Sequence, residues 1–228
     1  MSMIFVPATK PEDWIPLLAE KDKQWKTGYS AKTLAYCWHE ADGFPEEVKS
    51  VFRDSNYELF KKAEPLLVFP EYKVPLKGGK AASQNDIFVL ARAKEGLISI
   101  TVEGKVSEPF GETIGEWNKA GTKGRQERLG YLLDVLGLPE NMQIDNIRYQ
   151  LLHRAASAVI EARKFKARNA LMLIHSFSKS DEWFGDYANF VSLYAAGAKI
   201  NGIVFLKKLK SVDLYCSWVR GNISYLEK

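Results

Sequence analysis

Three charged side chains in the middle of the chain could form a metal-dependent catalytic site. Glu103 and Lys105 lie two positions apart at the end of a largely apolar run, residues 97–106, and Asp86 lies seventeen residues before Glu103. Two carboxylates that converge on one point repel each other unless a proton or a cation lies between them. A hard divalent cation such as Mg²⁺ suits oxygen ligands, and a nearby lysine can orient an attacking water. These residue types indicate hydrolysis at a phosphate.

An acid and a lysine two residues apart are common by chance, so the setting of the pair decides its meaning. The spacing occurs at 47–49, 71–73 and 103–105. We expect the first pair on an exposed helix and the second in a loop flanked by prolines. The third pair ends an apolar strand. Because side chains alternate between the two faces of a strand, Glu103 and Lys105 share one face.

A hairpin would bring Asp86 to the other two side chains. Residues 86–92 and 97–106 both read as strands, and a short connection at 94–96 joins them. So short a link favours an antiparallel pair, in which the start of the first strand lies opposite the end of the second. The sequence therefore predicts that Asp86 lies near Glu103 and Lys105.

The remaining elements indicate a single α/β domain over residues 1–228. Residues 1–62 read as a helical N-terminal part and residues 63–228 as a core that contains the sheet. The nearly continuous apolar run at 169–176 predicts a central strand covered on both faces. Helices are further predicted at 45–62, 125–136 and 145–164, and strands at 65–69, 202–206 and 212–219.

Composition argues against several classes of protein. The chain is 46% apolar and 26% charged, close to the average for globular domains, and its net charge is +4. Its two cysteines, Cys37 and Cys216, are too few for a structural zinc site and favour a reducing cytoplasm. No stretch reaches the roughly 18 apolar residues of a membrane span. We expect a cytoplasmic protein without a membrane partner.

The pattern of Asp86 followed by Glu103-Gly104-Lys105 at a strand end resembles the PD-(D/E)XK nuclease superfamily. The order of the segments also fits its restriction-endonuclease-like αβββαβ core, a mixed sheet flanked by helices, here with a helical N-terminal extension. The resemblance implies a nuclease acting on DNA or RNA. It implies that Asp86 and Glu103 bind Mg²⁺ or Mn²⁺, that the Gly104 carbonyl is a further ligand, and that Lys105 assists the attacking water. The whole chain also looks like a family of uncharacterised bacterial proteins.

The helix predicted at 145–164 supplies more candidate residues. Some branches of the superfamily place a glutamine and a tyrosine on the corresponding helix. Only Gln150 is carried over, because the order of Tyr149 and Gln150 differs from that pattern. Arg148 and Arg154 would suit contacts to phosphate. A solvated helix face is the alternative for both arginines.

Two further points of the superfamily pattern are weaker here. Many members place an acid on the first core helix, and the sequence does not choose among Glu40, Glu58 and Glu64. The residue before Asp86 is Asn85, where the pattern has proline.

Simpler explanations stay open for each feature. Glu103 and Lys105 can form an ion pair on a half-exposed strand, worth at most about 1 kcal/mol. Asp86 can cap the start of a strand. His175, inside an apolar run, is more typical of a buried, hydrogen-bonded histidine than of a catalytic base. For the whole protein, the alternative is a catalytically inactive module of the same fold that binds nucleic acid or a partner protein.

Overall fold

The computed structural model of the protein describes residues 8–94 and 96–228. Short helices joined by turns make up the described residues up to 61, and residues 1–7 lie outside the described part. The elements of this N-terminal part are a 3₁₀-helix at Pro11–Leu17, α1 at Lys21–Gln24, α2 at Ser30–Glu40, α3 at Glu46–Arg53 and α4 at Glu58–Lys61.

The prediction of one continuous helix over 45–62 is wrong, because the chain turns between α3 and α4. The hydroxyl of Ser55 accepts a hydrogen bond of 3.0 Å from the backbone N–H of Tyr57. Short polar side chains of this kind compete with the helical hydrogen bonds of the backbone.

Six strands form one mixed sheet in the order β1-β2-β3-β4-β6-β5. The β1–β2, β2–β3 and β5–β6 pairs are antiparallel, and β4 is parallel to both β3 and β6. The predicted α/β class is therefore confirmed as an open mixed sheet flanked by helices. The strands are β1 Glu64–Val74, β2 Ser83–Ala93, β3 Gly96–Lys105, β4 Asn169–Ser176, β5 Gly202–Leu209 and β6 Val212–Arg220.

The other helices follow β3, β4 and β6. They are α5 at Ile114–Trp117, α6 at Lys123–Leu136, α7 at Tyr149–Lys164, α8 at Phe184–Ser192 and a 3₁₀-helix at Ile223–Glu227. Helix α7 begins four residues later than the predicted 145–164, because residues 145–148 form a turn that leads into it. In the described part of the chain, no helix has the length and apolar character that crossing a membrane requires.

The first strand is longer than predicted, and the expected loop at 71–73 is part of it. Pro70 and Tyr72 pair with Ile87 and Asn85 of β2, so the ladder continues through Glu71. Proline is tolerated here because β1 is an edge strand. Glu71 itself has a positive φ of 52°, which bends the strand locally.

Helices cover both faces of the sheet, and the side chains of β4 alternate between them. Met172 and Ile174 belong to the core formed with α6, α7 and α8. Leu171 and Leu173 belong to the core formed with α2, α3 and α4. Every residue of β4 is buried, which confirms the predicted central strand.

The face of β3 that meets α7 is polar. Ser99 and Thr101 donate hydrogen bonds from their hydroxyls to the carbonyls of Ala158 and Arg154, at 2.8 and 3.0 Å. These bonds fix α7 against the strand that carries Glu103, because both partners are buried.

Candidate active site

The register of three strands brings three carboxylates into one row. Glu71 stands opposite Asp86, between the pairs that residues 70 and 72 make with 87 and 85. Ile87 pairs with Val102 in the antiparallel β2–β3 ladder. Asp86, which precedes Ile87, therefore lies opposite Glu103, which follows Val102. We call Glu71, Asp86 and Glu103 the acidic row. Like charges directly opposite each other destabilise a sheet, so the row needs protons or cations.

Glu103 is buried and accepts hydrogen bonds from three side chains. The donors are Lys105 Nζ at 2.8 Å, Gln150 Nε2 at 2.7 Å and Arg154 Nε at 2.6 Å. Its side chain is only 3% exposed, so the half-exposed surface pair considered from the sequence is wrong. The predicted proximity of Glu103 and Lys105 on one face is confirmed. Burial opposes ionisation of Glu103, but the charges of Arg154 and Lys105 lower its pKa below the ordinary value.

Asp86 lies against the backbone of β3. Its Oδ2 accepts a hydrogen bond of 2.7 Å from the N–H of Gly104. A Cβ at Gly104 would lie 3.1 Å from the Leu34 side chain and 3.4 Å from Asp86 Oδ2, so the absent side chain permits this close approach. Because the N–H and C=O of one strand residue point to the same side, the Gly104 carbonyl also points toward β2.

Glu71 is the acid that sequence reasoning missed. Its Oε2 accepts a hydrogen bond of 2.6 Å from Gln84 Nε2. The prolines at 70 and 75 made the segment read as a loop. A usable signal was the alternation of polar and apolar residues after Pro70, over 71–74, which continues β1 through the proline.

Two acids of the row, Glu71 and Asp86, hold protons more tightly than isolated carboxyl groups do. Burial, followed by the charge of Asp86, raises the pKa of Glu71 from 4.5 to about 8. Burial, followed by the charge of Glu103, raises the pKa of Asp86 from 3.8 to about 7. A cation beside these two groups would take the place of the protons.

The donor set fits a hard divalent cation that keeps part of its water. An ionised carboxylate has about four acceptor positions, so Glu103 retains one beside its three hydrogen bonds. Neighbouring strands lie about 4.8 Å apart, so one ion can contact two adjacent acids of the row. Asp86 and Glu103, with the Gly104 carbonyl, would provide the protein ligands.

These residues line a cleft of about 430 Å³. Lys105, Gln150 and Arg154 lie in its wall with the acidic row, as does Glu108, which the sequence did not single out. Residues around α1 and the start of α2 form the opposite wall: Ala19, Lys23, Gln24, Tyr29, Ser30 and Ala31. We call this the acidic cleft.

Arg154 and Arg148, both predicted to contact phosphate, lie in different places. Arg154 is buried and bonds both Glu103 and, at 3.1 Å, the hydroxyl of Ser83. Arg148 is not among the residues that line the acidic cleft. Its guanidinium binds Asp186 at 2.9 Å and the carbonyl of Gly111 at 2.7 Å.

The three acids considered for the first core helix also lie outside the lining of the acidic cleft. Glu40 and Glu58 pair with the lysines Lys228 and Lys61. Glu64, at the start of β1, pairs with Arg92 at 2.8 Å. The acid that joins Asp86 and Glu103 is instead Glu71.

A second cluster has the spacing of metal ligands. Within the described residues, three ligand atoms approach within 4.8 Å of one another only at Cys37, Glu47 and His175. The prediction that the 47–49 pair lies on an exposed helix is wrong for Glu47, because its carboxylate accepts a hydrogen bond from His175 Nε2 at 3.2 Å. Although burial opposes ionisation, this bond lowers the pKa of Glu47 to about 2.

The tautomer of His175 argues against a metal at this cluster. The indole N–H of Trp38 donates to Nδ1 of His175 at 3.0 Å, so the imidazole proton lies on Nε2. A metal on Nε2 would force that proton onto Nδ1, against the indole N–H. His175 is therefore a buried, hydrogen-bonded histidine, as its sequence setting indicates.

One family model covers nearly the whole chain. It is described as a domain of unknown function, DUF6946, and it matches residues 7–223. No curated protein and no solved structure matches the chain. The chain therefore belongs to the DUF6946 family.

Proposed function

We propose that the protein is a metal-dependent phosphodiesterase that cleaves DNA or RNA in the acidic cleft. One observation carries the proposal: Asp86, Glu103, Lys105 and Gln150 line the same cleft, and Glu103 is bonded to both Lys105 and Gln150. A carboxylate pair next to a lysine is an arrangement that can hold a divalent cation and orient a water for hydrolysis of a phosphodiester.

The order of the elements supports the same function. Helices α3 and α4, then β1, β2 and β3, then α7 and β4 follow one another along the chain. Apart from α5 and α6, which lie between β3 and α7, this order is similar to that of the restriction-endonuclease-like αβββαβ core. The resemblance of residues 86 and 103–105 to the PD-(D/E)XK nucleases thus agrees with their places on β2 and β3.

Each side chain would have a distinct role. Asp86 and Glu103 would hold Mg²⁺ or Mn²⁺. The ion would lower the pKa of a bound water and stabilise negative charge on the phosphate. Lys105 Nζ, held by Glu103 at 2.8 Å and by Gln150 Oε1 at 3.2 Å, orients the water and neutralises charge in the transition state. Arg154 keeps Glu103 ionised when the cleft is free of metal.

Cleavage of labelled DNA and RNA in Mg²⁺ or Mn²⁺ tests this function. We expect Asp86→Asn and Lys105→Met each to lower the cleavage rate by about 100-fold or more. Asp134→Asn, on the exposed side of α6, is the matched control and should cleave normally. Circular dichroism checks that each variant is folded. Full cleavage by Asp86→Asn would exclude the assignment.

A binding module without catalysis is the second candidate, and the pairing of Glu103 favours it. Both oxygens of this carboxylate already accept hydrogen bonds from Lys105, Gln150 and Arg154. If these bonds hold the one remaining acceptor position of Glu103 away from Asp86, no ion binds between the two acids. Calorimetric titration with Mg²⁺ and Mn²⁺ separates the two candidates, because the phosphodiesterase binds metal and loses that binding in Asp86→Asn. The absence of binding at millimolar metal, with DNA present, would favour the second candidate.

A further inference from the structure

A second cleft, with no acidic row, lies at the other end of α7. It has a volume of about 550 Å³, and three segments meet in it: the end of α7, the connection to β4, and the β5–β6 turn with the start of β6. We call it the basic cleft. Its charged lining residues are Arg163, Lys166, Arg168, Lys208, Lys210 and Asp213.

The charge of this cleft accounts for the basic excess of the whole chain. Five cations and the single carboxylate of Asp213 leave four positive charges unbalanced. The formal net charge of the chain is also +4, so acids and bases balance over the rest of the molecule. The excess positive charge of the chain is thus concentrated in one cleft, which is typical of a site that binds a polyanion.

The cations are exposed and are not engaged by acids. All five residues are exposed, and none of the five forms an ion pair within the described part of the chain. Arg163 makes one long hydrogen bond, 3.4 Å, to the carbonyl of Val135. Their charges are therefore available to a ligand.

Stabilisation of a helix end explains only part of this cluster. Arg163 and Lys166 lie at the C-terminus of α7, where cations offset the helix dipole. Arg168, Lys208 and Lys210 lie on other segments and gain nothing from that dipole. The helix dipole therefore does not explain why cations from separate segments lie together in this cleft.

Two of the lysines occupy backbone positions that favour glycine or asparagine. Lys166 has a φ of 56° and Lys210 a φ of 48°, both in the left-handed region. A lysine at such a turn carries an energetic cost that glycine avoids. Lysine at both turns is consistent with a need for the two ammonium groups.

We propose that the basic cleft binds the phosphodiester backbone of a nucleic acid, at a distance from the acidic cleft. The inference rests on the proposed nuclease function and adds a second contact to the same substrate. Gln150 and Arg163 are thirteen residues apart on α7, which corresponds to about 20 Å along the helix. This separation matches about six nucleotides at roughly 3.4 Å each.

Fluorescence anisotropy with a labelled 30-base-pair DNA duplex, in EDTA and over a range of salt, tests the site without cleavage. The double variant Lys208→Gln/Lys210→Gln should bind about tenfold more weakly. Its plot of log affinity against log salt should be shallower by about 2, since each lost phosphate contact removes roughly 0.9. Lys62→Gln/Lys199→Gln, with the same charge change at exposed residues outside the cleft, should bind like the unmodified protein.

Three results would overturn the proposal. They are unchanged affinity and salt slope in the cleft variant, an equal loss in the control variant, and displacement of the DNA by micromolar tripolyphosphate, which would make a free polyphosphate the ligand. The binding assay contains no metal, so failure of the cleavage assay and failure of the basic cleft are separate outcomes. A protein that binds DNA through the cleft but cuts nothing retains this inference and loses the proposed catalysis.

Discussion

The acidic and basic clefts use the same cationic residue types in opposite ways. In the acidic cleft, the side chains of Lys105 and Arg154 are 5% and 8% exposed and both bond Glu103. In the basic cleft, cations such as Lys208 and Lys210 are exposed and form no ion pair within the described residues. Burial fixes a cation to one geometry, whereas exposure leaves it mobile and able to follow a flexible polyanion.

This difference in burial should also determine whether a mutation changes the stability of the protein or its affinity for a ligand. A buried charge that loses its partner has neither water nor an opposite charge to stabilise it, so the free energy of unfolding decreases. An exposed lysine that is replaced loses little, because water already solvated it. Mutations in the acidic cleft should therefore change the free energy of unfolding, and those in the basic cleft should change the affinity for an anion.

The largest effect is expected from removing the central carboxylate. Glu103→Ala removes the buried carboxylate that is hydrogen-bonded to both Arg154 and Lys105, and should cost about 3–5 kcal/mol of unfolding free energy. Glu64→Ala is the control, because Glu64 also pairs with an arginine but is 66% exposed. It should cost less than about 1 kcal/mol. Urea unfolding measures both; similar losses in the two variants would abolish the contrast.

A pH effect should follow from the raised pKa values in the acidic row. Glu71 and Asp86 bind protons more tightly in the folded state, with pKa values of about 8 and about 7 against ordinary values of 4.5 and 3.8. Their stabilising contribution is complete below pH 4 and is lost as the pH rises to about 8. In EDTA, the melting temperature should therefore fall between pH 6 and pH 8.5, by about 2–4 °C for each kcal/mol.

Metal and mutation provide the controls for this pH effect. Millimolar Mg²⁺ should restore part of the loss in melting temperature at pH 8.5, since a cation bound by Asp86 replaces the proton of that acid. Asp86→Asn should flatten the dependence, because it removes one of the two titrating groups. A melting temperature that rises between pH 6 and pH 8.5 in EDTA would contradict the predicted loss of stability.

A smaller effect is expected beneath the acidic cleft, at the contact between β3 and α7. Thr101→Val removes the 3.0 Å hydrogen bond to the Arg154 carbonyl and should cost about 1 kcal/mol. Thr33→Val is the matched control, because the buried Thr33 hydroxyl has no hydrogen-bond partner among the described residues. Its loss should be neutral or stabilising. Chemical unfolding of both variants decides whether buried polar contacts hold this region.

The smallest effect should have the opposite sign. Lys210→Asn places a residue that tolerates a positive φ at 48°, and should stabilise the protein by less than about 1 kcal/mol while weakening DNA binding. Lys208→Asn removes the same charge from an extended strand and should not stabilise. If Lys210→Asn leaves DNA affinity intact, the lysine serves neither stability nor binding, and the comparison between the clefts fails.

Local sequence was sufficient for the part of the site that one hairpin builds. The link between β2 and β3 is so short that Asp86, Glu103 and Lys105 had to converge. Helical spacing likewise placed Gln150 and Arg154 on one helix, and both do reach Glu103.

Other parts depend on pairings that the sequence does not show. Glu71 was hidden because prolines normally interrupt strands, and an edge strand removes that penalty. Arg148 bonds Asp186, thirty-eight residues away. The basic cleft joins residues 163–168 to residues 208–213, so no local pattern could indicate it.

The connectivity of the sheet also sets an order of assembly. Strands β1, β2 and β3 pair with their neighbours in sequence, whereas the β3–β4 pair closes over the 63 residues between Lys105 and Asn169. Local pairing precedes such long closure, because the entropy lost grows with the length of the loop. We therefore expect the three carboxylates to meet before Arg154 arrives on α7. Docking of that helix then brings the positive charge of Arg154 to the acidic row, and salt should slow this folding step.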